Sequence, residues 1–204
     1  GARAQEVGTG ALTRLRRRLA AAHPTMASVW NAVHATHPGQ FLQTQQTAWH
    51  RAARHARRLL RSARTVVTLS YSSTILVTLE RRRGRVIVGQ SLPGGEGANM
   101  ARALRRRGTL AKVVPDATLA AWVAEADAVV FGADAVTRRG VINKVGSRLL
   151  ALAAKAEGRP CYVVTDASKL TAPRSPFPAP RLTPGSLFEY VEHRLISRVI
   201  TERR

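Results

Sequence analysis

Between Thr65 and Asp166 the chain alternates two kinds of segment, and that alternation constrains its fold more than any other feature. Short apolar runs of strand length, "TVVTLS", "RVIVGQS", "TLAKVV", "DAVVFG" and "CYVVTD", are separated by stretches with helical spacing. Their content of Val and Ile favours strands. "SSTILVTLERRRG" reads as a helix stopped by Gly84, and "ANMARALRRRG" as one with Met100, Ala103 and Leu104 inward. "DATLAAWVAEA" reads as a helix capped by Asp116, and "SRLLALAAKAEG" as one ended by Gly158. Strands separated by helices of about 10–13 residues pair in parallel, because each connection crosses back over the sheet. The runs are apolar throughout rather than alternating, as expected when helices cover both faces. The fold class is therefore α/β with a mostly parallel sheet.

Residues 1 to 64 follow a different grammar. They contain no β-branched run and read as helices. "ALTRLRRRLAAA" aligns Leu12, Leu15 and Leu19 on one face. "TMASVWNAVHA" aligns Met26, Val29, Trp30 and Val33, with Thr25 as the expected cap. A longer helix is expected over 40–62, with Phe41, Trp49, Ala52, Ala53, Ala56, Leu59 and Leu60 turned inward. A helical N-terminal domain over 1–64 and an α/β domain over 65–204 follow. Within the second, 171–184 holds five prolines and is expected to be an extended surface loop. "SLFEYVEHRLISRVITERR" closes the chain, its end resembling an interface strand with a charged tip.

Composition excludes several classes. No apolar run approaches the length of a membrane span, and the N-terminal stretch lacks the apolar core of a secretory signal. The single cysteine, Cys161, excludes a disulfide framework and a zinc cluster; it opens a strand and reads as a small buried residue. A cytoplasmic protein without cofactor or metal is expected. The net charge of +21 rests on 29 arginines, a skew of the kind GC-rich coding produces. Even so, residues 1 to 64 hold eleven arginines against one acid, Glu6, so that half carries a positive field suited to anionic partners. Aromatic residues are not interleaved with the arginine runs, which argues against a stacking platform for single strands and leaves only nonspecific nucleic-acid binding.

Ligands of parallel sheets bind beyond the carboxyl ends of strands. Four such ends carry suitable chemistry here: Ser70-Tyr71-Ser72-Ser73; Ser91 with the loop Gly94-Gly95-Glu96-Gly97; Asp134; and Asp166 with Lys169. The glycine-rich loop opens a helix and presents backbone N–H groups to phosphate, or is a plain turn and cap. "GADAVTRRGVINKVGS" reads as a strand end, a basic turn and a helix start, in which Asp134, Asn143 and Lys144 stand out.

These segments resemble one family. "TLSYSSTILVTL", "VGQSLPGGEGANMARALRRRG", "FGADAVTRRGVINKVGS", "PCYVVTDASKL" and "LFEYVEHRLISRVITE" are similar, in order, to motifs of the translation initiation factor 2B alpha, beta and delta subunits. The same family includes isomerases acting on methylthioribose 1-phosphate or ribose 1,5-bisphosphate. The resemblance runs over residues 20 to 204. It implies a small helical domain on a Rossmann-like C-terminal domain, a sugar-phosphate site between them, and a homodimer through the C-terminal domain.

Residue roles follow from the resemblance alone. Aldose–ketose isomerisation moves a carbonyl from C1 to C2, which needs an acid/base pair beside that bond. Asp134 occupies the place of the family's aspartate, while Ser70 stands where the isomerases carry a cysteine. A serine hydroxyl is a far poorer proton carrier than a thiol near neutrality. Ligand contacts are implied at Ser91, Gly95, Glu96, Gly97, Asn143 and Lys144, with Lys144 on a phosphate. His23 stands where the helical domain usually has an arginine that helps hold phosphate, and is implied as a weaker phosphate contact; Leu92 replaces another arginine, and an Arg-Gly-Ala segment of the enzymes has no counterpart. Two readings follow: a non-catalytic, factor-like protein binding a phosphorylated sugar or nucleotide, with a possible translation-factor partner, or an isomerase using Asp134 with Ser70 or a water. A basic RNA-associated protein is the third.

Overall fold

The computed structural model describes residues 2–171, 177 and 181–203, with side chains from residue 10 onward except residue 46. The expected extended loop of 171–184 thus falls largely, at 172–176 and 178–180, outside the described residues. Three helices come first: α1 (Ala2–Ala22), α2 (Ala27–His34) and α3 (Pro38–Leu59). Then follow β1 (Thr65–Leu69), α4 (Ser73–Leu79), β2 (Arg85–Gly89), α5 (Glu96–Arg106) and β3 (Leu110–Val114). A 3-10 turn leads into α6 (Leu119–Ala124), and β4 (Ala128–Phe131) opens the second wing of the sheet. The remainder is β5 (Ala135–Thr137), β6 (Gly140–Lys144), α7 (Ser147–Ala156), β7 (Cys161–Val164), β8 (Phe188–Val191) and β9 (Arg198–Ile200).

Six strands form one sheet in the order β3-β2-β1-β4-β7-β9, and every pairing is parallel. Strand order runs outward in both directions from the β1–β4 junction, which is the topological switch point of a doubly wound sheet. Successive side chains of each strand point to opposite faces. Val66, Val86, Val88 and Val130 enter one core with Ala52 and Ala56 of α3, Leu60 just after it, Leu79 of α4 and Met100 of α5. Val67, Ile87, Val129 and Phe131 enter the other, beneath Val123 of α6 and Leu150 and Ala154 of α7. Both faces are covered, so the apolar runs need no alternation.

Several local expectations are corrected. Asn143 and Lys144 belong not to a helix start but to β6, the middle strand of a small antiparallel sheet, β5-β6-β8. α4 ends at Leu79, well before Gly84. The cap of α2 is Met26 with no side-chain bond, and Thr25 is buried instead. Asp116 caps no helix; its carboxylate accepts the N–H groups of Ser91 and Leu92, both at 2.8 Å. Leu59 points to solvent, and α1 presents Leu12, Leu15 and Leu19 outward at 48%, 52% and 41% exposure.

The helices are joined to the sheet by polar contacts as well as by packing. The N–H of Ala27 donates to the Asp134 carbonyl at 3.0 Å. Asn31 donates its side-chain amide to the carbonyls of Ser168 (2.7 Å) and Leu170 (3.2 Å). His55 contacts the Thr201 carbonyl at 2.9 Å. Among the described residues no helix is long and apolar enough to cross a membrane.

Candidate functional site

A cleft of about 400 Å³ opens at the switch point, beyond the carboxyl ends of β1 and β4. β1 supplies Ser70 and the loop into α4; β4 supplies Asp134; β6 supplies Asn143 and Lys144; the first turn of α5 supplies Glu96. Met26 closes it from the helical side and Phe188 from β8. Lys169 reaches it from the turn after β7.

Ser70 and Ser91 both adopt left-handed backbone, with φ of 58° and 64°. Such conformations in residues other than glycine persist only where surroundings hold them. Here the Ser70 N–H donates to Ser91 Oγ at 2.6 Å, and Ser91 Oγ donates to the Gly89 carbonyl at 3.0 Å. Asp116 fixes the next link by accepting the Ser91 and Leu92 amides. Ser91 therefore shapes the cleft from behind.

The glycine-rich loop works through close approach. A Cβ on Gly97 would lie 1.8 Å from the Gly89 carbonyl oxygen, so only glycine lets α5 begin against the end of β2. Gly95 caps α5 at φ 72°, in open space. Together they aim Glu96 at the cleft, where its Oε1 accepts from Lys144 Nζ at 2.8 Å. The Lys144 side chain is only 7% exposed and that of Glu96 36%. The second Glu96 oxygen, Oε2, is buried without a partner.

Asn143 is steadied by Ser147, whose Oγ accepts its amide at 2.8 Å and donates to the Lys144 carbonyl at 2.6 Å. The main chain of Asp134 is pinned on both sides, its N–H donating to Ile142 and its carbonyl accepting from Ala27. Burial pushes the Asp134 carboxyl above its ordinary value, and the nearby Lys169 charge pulls partly against that.

The structure thus brings together Ser70, Glu96, Asp134, Asn143 and Lys144 on one cleft, with Ser91, Gly95 and Gly97 as its supports. His23 is exposed in the turn between α1 and α2 and is not among the lining residues. Lys169 enters the site, whereas the buried Asp166 accepts the Ser168 N–H at 3.0 Å. Met26 and Phe188 carried no sequence signal as site residues, since an apolar wall looks like any other core position. Cys161 lies in the core of β7, where burial pushes its thiol up to about 12. No group of three His, Cys, Asp or Glu side chains placed to hold a metal ion occurs among the described residues.

Fold and cleft define a Rossmann-like α/β protein with a polar pocket at its switch point. The chain belongs to the Initiation factor 2 subunit family, whose model matches residues 37–177. It is 31% identical over 176 residues to an eIF-2B subunit 2-like translation initiation factor of Pyrococcus horikoshii, a match covering 78% of this chain and 64% of that one. It spans less than two thirds of the length of such relatives. A ribose 1,5-bisphosphate isomerase of Archaeoglobus fulgidus is 29% identical over 138 residues, covering 65% of this chain and 44% of the isomerase. The crystal structure of Pyrococcus horikoshii OT3 translation initiation factor eIF-2B superposes with a TM-score of 0.83 at 26% identity, covering 95% of this chain and 80% of that one.

Proposed function

We propose that this chain is a non-catalytic, eIF-2B-like protein that binds a sugar phosphate or nucleotide in the switch-point cleft. The observation that carries the reading is the convergence of Lys144, Asn143, Glu96 and Asp134 on one cavity of about 400 Å³. That set mixes a cation with hydroxyl-binding carboxylates and an amide, which suits a phosphorylated polyol better than a bare anion. The volume falls in the usual range for small-ligand sites. Lys144 and Lys169 serve the phosphate, and Asn143, Glu96 and Asp134 serve the hydroxyls. Under this reading 1–64 and 65–204 are two domains with the ligand between them. The protein is cytoplasmic and pairs with a second copy through the α/β half, and a translation factor is a further partner.

The chemistry of the lining residues disfavours catalysis. Asp134 can exchange a proton, but the residue in the thiol's place is Ser70, and no histidine is among the residues lining the cleft. Without a base beside it, a serine hydroxyl does not shuttle protons at useful rates near neutrality. The kinship to an isomerase keeps the second reading specific: Asp134 with Ser70 or a bound water moving hydrogen between C1 and C2.

Thermal unfolding with ribose 1,5-bisphosphate, methylthioribose 1-phosphate and AMP tests the proposal. A ligand at a hundred times its Kd should raise Tm by about 5–10 °C. Lys144→Met should abolish the rise. No rise with any of the three sinks the binding reading. Turnover followed by NMR, lost in Asp134→Asn, would replace it with the isomerase.

A further inference from the structure

The amino ends of the strands, opposite the cleft, carry a second cavity of about 310 Å³. The two cavities lie at opposite ends of α4, the cleft lined by Ser73 and Thr74 and this one by Thr78 and Glu80. Arg57 and Arg61 reach it from the carboxyl end of α3, and Arg81, Arg82 and Arg83 from the loop after α4. One acid lines it, Glu80. Five guanidinium groups from two separate segments therefore share one concave surface.

The structural demand for positive charge there is smaller than the supply. Two helix carboxyl ends contribute about −0.5 each, Glu80 a full negative charge and Asp127 another that acts on Arg82, while Arg107 on Glu80 adds one cation, leaving about +3 uncompensated. Glu80 is fully engaged, with Arg57 Nη2 at 2.8 Å and Arg107 Nη1 at 2.6 Å. Burial alone would raise its carboxyl, yet the bonds from Arg107 and Arg57 hold it below the ordinary range. Arg61, Arg81 and Arg83 have no acidic partner among the described residues. Arg82 donates Nη2 to the Ala63 carbonyl, while its Nε is buried with no acceptor. A desolvated cation with an unused donor is costly until an acceptor arrives.

We propose that this arginine-lined cavity is a binding site for clustered phosphates, presented by free polyphosphate or by an RNA backbone. Guanidinium forks match phosphate oxygens in pairs. The residual charge of about +3 exceeds what a single phosphate neutralises and fits linked phosphates. The site is independent of the cleft at the other end of the sheet.

Inorganic tripolyphosphate, followed by calorimetry, and a fluorescent 15-nucleotide oligouridine, followed by anisotropy, test it. The pair Arg61→Gln with Arg83→Gln, both exposed, should weaken tripolyphosphate about tenfold or more. The control pair Arg14→Gln with Arg18→Gln removes the same charge elsewhere and should leave affinity within about twofold. Lys144→Met should also leave it intact. If the Arg61/Arg83 pair lowers the salt slope of oligouridine binding by about 1.4 and tripolyphosphate competes, RNA is the source. If oligouridine binding is unmoved while tripolyphosphate is lost, free polyphosphate is the source. No tripolyphosphate binding, equal weakening by both arginine pairs, or loss in Lys144→Met overturns the proposal.

Discussion

Lys144 Nζ and Glu96 Oε1 meet at 2.8 Å, joining the middle strand of the small sheet to the first turn of α5. The contact ties together two elements that share no backbone pairing, and it sets the charge of the cleft. The lysine is almost wholly buried, so the pair cannot be treated as a surface contact of negligible worth.

Lys144→Met should leave Glu96 without its cation and cost about 1–2 kcal/mol, the lower part of the range for an unpaired group because Glu96 is partly solvated. The double variant with Glu96→Gln should recover part of that loss. Urea midpoints of the three variants measure both. Equal stability of wild type and Lys144→Met would remove the ion pair from the energetics.

Asp134 makes stability depend on pH. Its folded value is raised above the ordinary 3.8, so the native state binds the proton more tightly than the unfolded chain. This group's contribution therefore falls as pH climbs from the ordinary value through the raised one, and is constant above. Asp134→Asn should be more stable than wild type at neutral pH, with the difference vanishing as pH falls below 3.8. Urea titrations across pH 3 to 8 give the comparison; a gap that widens toward acid would contradict the assignment.

Two glycines of one loop should behave differently. Gly97→Ala sets a methyl 1.8 Å from the Gly89 carbonyl, where backbone must move, and should cost about 1–3 kcal/mol or more and weaken ligand binding. Gly95→Ala meets no neighbour but keeps φ at 72°, a penalty of about 1–2 kcal/mol without steric displacement of Glu96. Denaturation and ligand-induced Tm shifts separate the two effects. Similar loss of binding in both would refute the distinction.

Ser91→Ala removes the acceptor of the Ser70 amide and should destabilise the protein by about 1–3 kcal/mol. Because Ser70 is held left-handed by that bond, ligand affinity should fall too, although Ser91 is not among the lining residues. Unchanged affinity would show that the Ser70 loop holds its shape alone.

Cys161 should resist alkylation in the native state. Its thiol is 1% exposed and pushed up to about 12, so thiolate at pH 8 is negligible. Iodoacetamide labelling followed by mass spectrometry should require denaturant. Rapid native labelling would place the residue outside the core.

The parallel sheet was legible because its strands are continuous apolar runs, a pattern that only two-sided burial explains. Val66 and Val67 illustrate it, neighbours in sequence that enter opposite cores. Short polar segments were less legible. "VINK" has only one polar pair, and nothing local distinguishes a strand of a small antiparallel sheet from the approach to a helix; its partners, Glu189 and Phe188, lie more than forty residues on. Asp116 looked like a cap because caps and loop clamps use the same carboxylate chemistry. The leucines of α1 have the right spacing for a core, yet spacing fixes which residues share a face and not what covers it. Within the cleft, Asp134, Asn143 and Lys144 stood out by residue type and motif, whereas Met26 and Phe188 were invisible because apolar walls have no signature.

The amide of Ala27 donates to the carbonyl of Asp134 across the joint between helices and sheet, and the residue is fully buried. Its deuterium uptake is therefore a clock for the parting of the two halves: the proton exchanges only when α2 lifts from the residue whose carboxyl faces the cleft. A ligand gripped from both sides would slow that clock, and one resting on the sheet alone would leave it running.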